Sequence, residues 1–132
     1  MGETSAAGLL GPLEYEVMQA LWAGSPMTVP AVLAVVNEQR PTDGGLAYTT
    51  VMTVLSRLND KGLVVRDRRG RGYAYAPRFS EPGLVAHLSE REVQELLARY
   101  GEVALAQFAA AVDRADARLL ARLRDSVGSD DA

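Results

Sequence analysis

The run Ala47-Tyr48-Thr49-Thr50-Val51-Met52-Thr53-Val54-Leu55-Ser56-Arg57-Leu58-Asn59-Asp60-Lys61-Gly62 sets the architecture of the chain around it. At helical spacing Val51, Val54, Leu55 and Leu58 make one apolar stripe, and Tyr48, Thr49, Thr50, Thr53 and Arg57 fall mainly on the other side. Gly62 stands where a left-handed residue ends a helix. An ordinary surface helix fills its exposed face with Glu, Lys and Arg. This one carries short hydroxyls at its start and positive charge only toward its end. Threonine is a poor helix former, so its enrichment here needs a cause. One cause is a helix that enters the DNA major groove, where short hydroxyls let the backbone approach bases and phosphates and a Thr methyl can touch a thymine methyl. The other is that the threonines only cap the helix start.

Outward from this helix, the pattern repeats the theme of short helices. Pro12 suits the first turn of a helix to about Ala23, with Leu13, Val17 and Leu21 inward and Met18 and Trp22 beside them. Gly24-Ser25-Pro26 ends it. Thr28 is placed to cap a second helix whose Val32, Leu33, Val35 and Val36 are mostly buried, and Pro41 to Gly45 form a turn cluster. After Gly62, Leu63 to Arg69 reads as a strand, Gly70-Arg71-Gly72 as a turn, and Tyr73 to Ala76 as the returning strand stopped by Pro77. Three helices followed by a hairpin with an arginine-rich tip outline a winged helix-turn-helix. The expected fold class is mainly α with a small β-hairpin, and the expected organisation is a flexible N-terminus over 1–11, a winged helix DNA-binding domain over 12–78, a helical dimerisation domain over 79–127 and a flexible tail over 128–132.

Charge divides the chain in the same way. The 132 residues have net charge −3, which alone argues weakly against a nucleic-acid partner. From Arg57 to Arg78, however, seven basic residues face only Asp60 and Asp67, whereas Phe79 to Ala132 has six arginines against ten acids. A basic patch before an acidic helical half fits a DNA-binding protein with a separate assembly segment. In that second half Leu84, Leu88, Leu96, Leu97, Tyr100, then Leu105 and Phe108, then Leu119, Leu120 and Leu123 supply more apolar surface than short helices hide within one chain. They are expected to pack against a second copy; the alternative is that they fold back on their own N-terminal half. Ser89-Glu90-Arg91-Glu92 has the form of a capping box, so the helix from about Glu81 either breaks at Ser89 or runs on.

Other classes find little support. With no cysteine and one histidine, His87, the chain holds no thiolate metal site and no His–carboxylate constellation, and Gly70-Arg71-Gly72 is too short for a phosphate loop. No enzyme activity, metal or cofactor is expected. No stretch reaches the roughly 20 apolar residues that span a bilayer, and the N-terminus lacks the form of a secretory signal, so a cytoplasmic protein without membrane insertion is the expectation. The competing classes are a winged-helix adaptor that binds protein, which would present an apolar or acidic third-helix face and a neutral wing, and a regulator with a small-molecule ligand in its dimer region.

The residues Leu13-Glu14, Val17-Met18, Leu21-Trp22, the run Ala47 to Leu55 with Arg57-Leu58, Lys61-Gly62-Leu63-Val64 and Tyr73-Ala74-Tyr75-Ala76-Pro77 carry a resemblance. Through them the chain resembles the penicillinase-repressor family, the BlaI, MecI and CopY transcriptional repressors, strongly over 12–78 and loosely over 79–125. The resemblance implies a homodimer that binds a pseudo-palindromic operator in double-stranded DNA and blocks transcription of β-lactam-response or related stress genes. Tyr48, Thr49, Thr50 and Thr53 are then the groove-facing residues, with Arg57 and Lys61 on phosphate and Arg68, Arg69 and Arg71 on the flanking backbone. In the β-lactam repressors a membrane sensor protease system triggers cleavage at an Asn-Phe bond in the C-terminal helices. Here the matching position is Gln107-Phe108, without the asparagine. Copper-responsive members carry a Cys-x-Cys motif that this cysteine-free chain lacks.

Overall fold

A computed structural model describes residues 5–41, 44–114, 118, 121–122 and 124–125. The elements run α1 (Pro12–Ala23), β1 (Met27–Thr28), α2 (Val29–Glu38), α3 (Tyr48–Asp60), β2 (Val64–Arg69), β3 (Gly72–Pro77), α4 (Glu81–Tyr100) and α5 (Glu102–Arg114). The chain divides into two compact units, Met1–Ser89 and Glu90–Ala132.

Within the first unit, local chemistry explains the helix limits. Pro12 sits in the first turn of α1, and the Glu14 side chain accepts from the Gly11 N–H at 3.2 Å. Thr28 caps α2, its Oγ1 accepting from Ala31 N. At the end of α3, Gly62 turns to φ +74°, Leu63 N–H bonds to the Leu58 carbonyl at 3.0 Å and Gly62 N–H to that of Asn59 at 3.0 Å. Those two bonds close a Schellman stop, and its apolar clasp, Leu58 against Leu63, is fully buried.

The three helices enclose a core in which Met18 and Leu21 of α1, Val32 of α2 and Val51, Leu55 and Leu58 of α3 are all fully inaccessible. The sheet order is β1-β3-β2, antiparallel throughout, with Met27 opposite Tyr75 and Arg68 opposite Tyr73. The two-residue strand β1 is absent from the sequence expectation, because two residues have no period to detect. It exists through its pairing with β3.

Two expectations are corrected. A frayed 1–11 segment does not describe residues 5–11: Ala6 begins a short 3-10 turn and is fully buried. The Glu81 carboxylate fixes that turn, accepting from Ala6 N at 3.0 Å and from the Tyr15 hydroxyl at 3.1 Å. The domain limit at 78 also moves. Leu84, expected at a dimer interface, is fully buried in the first unit's own core, and Leu88 packs partly against it. The opening turns of α4 therefore belong to the winged-helix core, as the fold-back alternative has it. Of the two courses left open for the helix from Glu81, the continuous one is found, with α4 running unbroken through Ser89.

Leu84→Ala is accordingly expected to cost about 2–5 kcal/mol of stability, the range for emptying a filled leucine site. Denaturant unfolding of the variant measures it, and a loss near zero would mean that the site is not part of this core.

A bidentate ion pair also braces α1 against the end of α2: Arg40 donates to both Glu16 oxygens at 2.8 and 2.9 Å. Arg40's hydrogen bonds hold the Glu16 carboxyl below its ordinary range, against the opposing effect of partial burial. A carboxylate depressed on folding stabilises above its unfolded-state value and loses that contribution as pH falls through the lowered one. With Glu16 side chain 39% accessible the gain is small. Arg40→Ala is expected to return the Glu16 titration, followed by NMR, upward to the usual carboxylate range; an unmoved midpoint would contradict the pairing.

Candidate nucleic-acid interface

The first turn of α3 has no acidic residue, and its N-cap, Ala47, offers no side-chain acceptor. Thr49 and Thr50 lie inside the helix, so helix capping does not account for them. Val51, Val54, Leu55 and Leu58 are buried as the apolar stripe predicts. Opposite them Tyr48, Thr49, Thr53 and Arg57 are exposed, while Thr50 is half-buried at the edge of the face. The Thr53 hydroxyl donates to the Thr49 carbonyl at 2.9 Å, the back-bond by which a threonine is accommodated within a helix. Met52 is 42% accessible and sits on the same outward face, between the threonines. Sequence reasoning passed over it because methionine counts as a core residue. Its offset from the buried stripe on the helical wheel is the signal that finds it.

Lys61 does not join this face. Its ammonium lies 2.8 Å from Oε2 of Glu14 on α1. Half of the Lys61 side chain remains accessible, so this is an ion pair at the protein surface.

The wing is built by the β2–β3 hairpin, which turns at Gly70, φ +60°, where a side chain would be strained. Strand alternation divides its arginines. Arg66 and Arg68 share one face, where Tyr73 lies under their guanidinium groups at 4.1 and 5.9 Å from its ring centroid. Arg69 falls on the other face and, with Arg71, lines a groove shared with Tyr48, Thr28, Pro30 and Tyr73. The structure thus brings Arg69 and Arg71 together with the start of α3 and separates Arg68 from them. Arg66 and Tyr73 complete the wing and were not among the expected contacts. Among the described residues none of the four wing arginines has a carboxylate partner, so their charge is open to an external anion. A groove of this kind, basic and aromatic with a hydroxyl-lined helix beside it, suits phosphate and base edges of a duplex.

The second unit contains the latter part of α4 and α5. Val93, Leu96, Tyr100, Val103, Leu105 and Phe108 are each about half or more accessible, Phe108 reaching 64%. Leu97 is half-buried, and Gln107 is exposed beside Phe108 inside α5. Leu119, Leu120 and Leu123 lie outside the described residues. Among the described residues no cluster of three or more His, Asp or Glu is placed to hold a metal ion, and no helix is long and apolar enough to cross a membrane.

The family model described as penicillinase repressor matches residues 10–128. Two curated relatives, each called transcriptional regulator BlaI, from Mycobacterium tuberculosis strains CDC 1551 and H37Rv, are 46% identical over 79 residues, which is 60% of this chain and 55% of theirs. The chain spans little more than half the length of these relatives. Among solved structures, the complex structure of hsRosR-S1 superposes with a TM-score of 0.52 at 20% identity, covering 82% of this chain and 99% of that one. The solution structure of the DNA-binding domain of the repressor BlaI covers 61% of this chain and 90% of its own, at 25% identity and a TM-score of 0.47.

Proposed function

The chain belongs to the penicillinase repressor family, and we propose that it is a transcriptional repressor that binds operator DNA as a homodimer. The observation that supports this best is the joint surface of Tyr48, Arg69 and Arg71, where the exposed start of α3 meets unpaired wing arginines. In this reading α3 enters the major groove, with Tyr48, Thr49 and Thr53 toward base edges, Thr50 at the margin and Arg57 on phosphate. Arg69 and Arg71 grip the flanking backbone, and Arg66 and Arg68, held over Tyr73, extend the basic wing. The exposed apolar residues of the second unit, Leu96, Tyr100, Leu105 and Phe108 among them, supply the interface with a second copy. Two copies place two helices about one or more DNA turns apart, so the operator is expected to be pseudo-palindromic.

Selection of duplexes from a randomised oligonucleotide pool tests the proposal, with sedimentation of the free protein alongside. The expected result is an enriched inverted repeat bound by a dimer. A pool that enriches no sequence, or a protein that stays monomeric at micromolar concentration, would overturn it. The adaptor reading requires a neutral wing, and the four exposed arginines disfavour it.

A further inference from the structure

The outward face of α3 lacks the side chains that read guanine and adenine by paired hydrogen bonds. From Tyr48 to Ser56 there is no Arg, Lys, Asn or Gln. Arg57 and Asn59 come only in the last turns. Thr53, the most central hydroxyl, directs its proton to the Thr49 carbonyl. What the face offers instead is apolar: Tyr48 is 47% and Met52 42% accessible, one helical turn apart. Scattered single apolar residues need no explanation on a protein surface. These two lie one turn apart on a face otherwise made of small hydroxyls and Arg57, and together form a short apolar strip.

We propose that Met52, with Tyr48 one turn before it, reads the 5-methyl groups of thymines in the operator. The inference rests on the DNA-binding proposal and deepens it. In the major groove the thymine methyl is the one apolar mark on a base edge, and it distinguishes T·A from C·G without a hydrogen bond. Methionine suits the task, because its unbranched, polarizable thioether adapts to a methyl that approaches from several angles. The strip from Tyr48 to Met52 covers about 6 Å of helix, close to two base-pair steps. Sequence preference then comes from apolar contact at the centre of each half-site, with the wing supplying strength that is independent of sequence.

The test uses the full-length protein and the tightest duplex selected from the randomised pool, with each thymidine replaced singly by deoxyuridine, which removes only the methyl. Fluorescence anisotropy at constant salt is expected to show a loss of about four-fold for each contacted methyl, the worth of one buried carbon. Met52→Ala is expected to bind the thymidine duplex more weakly and to lose the deoxyuridine effect at one position of each half-site, keeping it elsewhere. Met52→Leu is expected to retain it. Two results would overturn the inference: wild-type binding indifferent to every deoxyuridine substitution, or a Met52→Ala protein as sensitive as wild type at every position. Either leaves the repressor proposal standing. Failure of the pool to enrich any duplex overturns that proposal itself and this inference with it.

Discussion

A chain ended after Ser89 is expected to remain folded and to bind a selected duplex about 10²–10⁴-fold more weakly than the full chain, the factor by which two linked sites exceed one. The compact unit Met1–Ser89 retains the helices, the wing and the first turns of α4, with Leu84 still filling the core. The cut removes Leu96, Tyr100, Leu105 and Phe108, the exposed residues assigned above to self-association. Ending the chain at Arg78 is a different experiment. It deletes Leu84 and unlinks Glu81 from Ala6 and Tyr15, so that shorter protein is expected to unfold rather than merely to lose its partner. Sedimentation and anisotropy on the two truncations separate the effects. A protein ending at Ser89 that still sediments as a dimer, or binds as tightly as the full chain, would rule out the second unit as the interface.

Replacing Arg69 and Arg71 together by alanine is expected to weaken binding to selected and random duplexes alike, by about one to two orders of magnitude at low salt. Each arginine that neutralises a phosphate releases a counterion, so the plot of log affinity against log salt should become shallower by about two for each bound subunit. Both side chains line the groove beside Tyr48, and among the described residues neither is paired with a carboxylate, so the change removes external contacts and no internal ones. An unchanged salt slope would remove the wing from the interface. Lys61→Ala is the informative contrast. Its ammonium already faces Glu14, so its loss should leave the slope nearly intact and act through the lost ion pair.

Most of the first unit was legible because its limits are set by chemistry that acts within one turn. Pro12 at a helix start, Thr28 as a cap, Gly62 as a left-handed stop and the i, i+4 stripe of α3 each fix their element from neighbouring residues alone. The arginine-tipped hairpin was legible for the same reason, with alternation on both sides of a glycine turn. The exposed side of α3 followed from the stripe by geometry, except that Met52 was hidden by its apolar character. Partners far apart in the chain were not legible. Nothing near Lys61 points to Glu14, nothing near Glu81 points to Ala6, and nothing near Leu84 says which core it fills.

The chain's own residues therefore determined three helices, a basic hairpin and a hydroxyl-lined helix face, because periodicity, caps and turn residues need no distant partner. Tertiary structure alone decided that Lys61 is paired, that the start of α4 completes the winged-helix core, that β1 exists, and that Arg69 and Arg71 flank Tyr48 while Arg68 lies on the opposite face of the wing. Those outcomes depend on which surfaces are buried together, and burial is a property of the packed chain that no local run of residues carries.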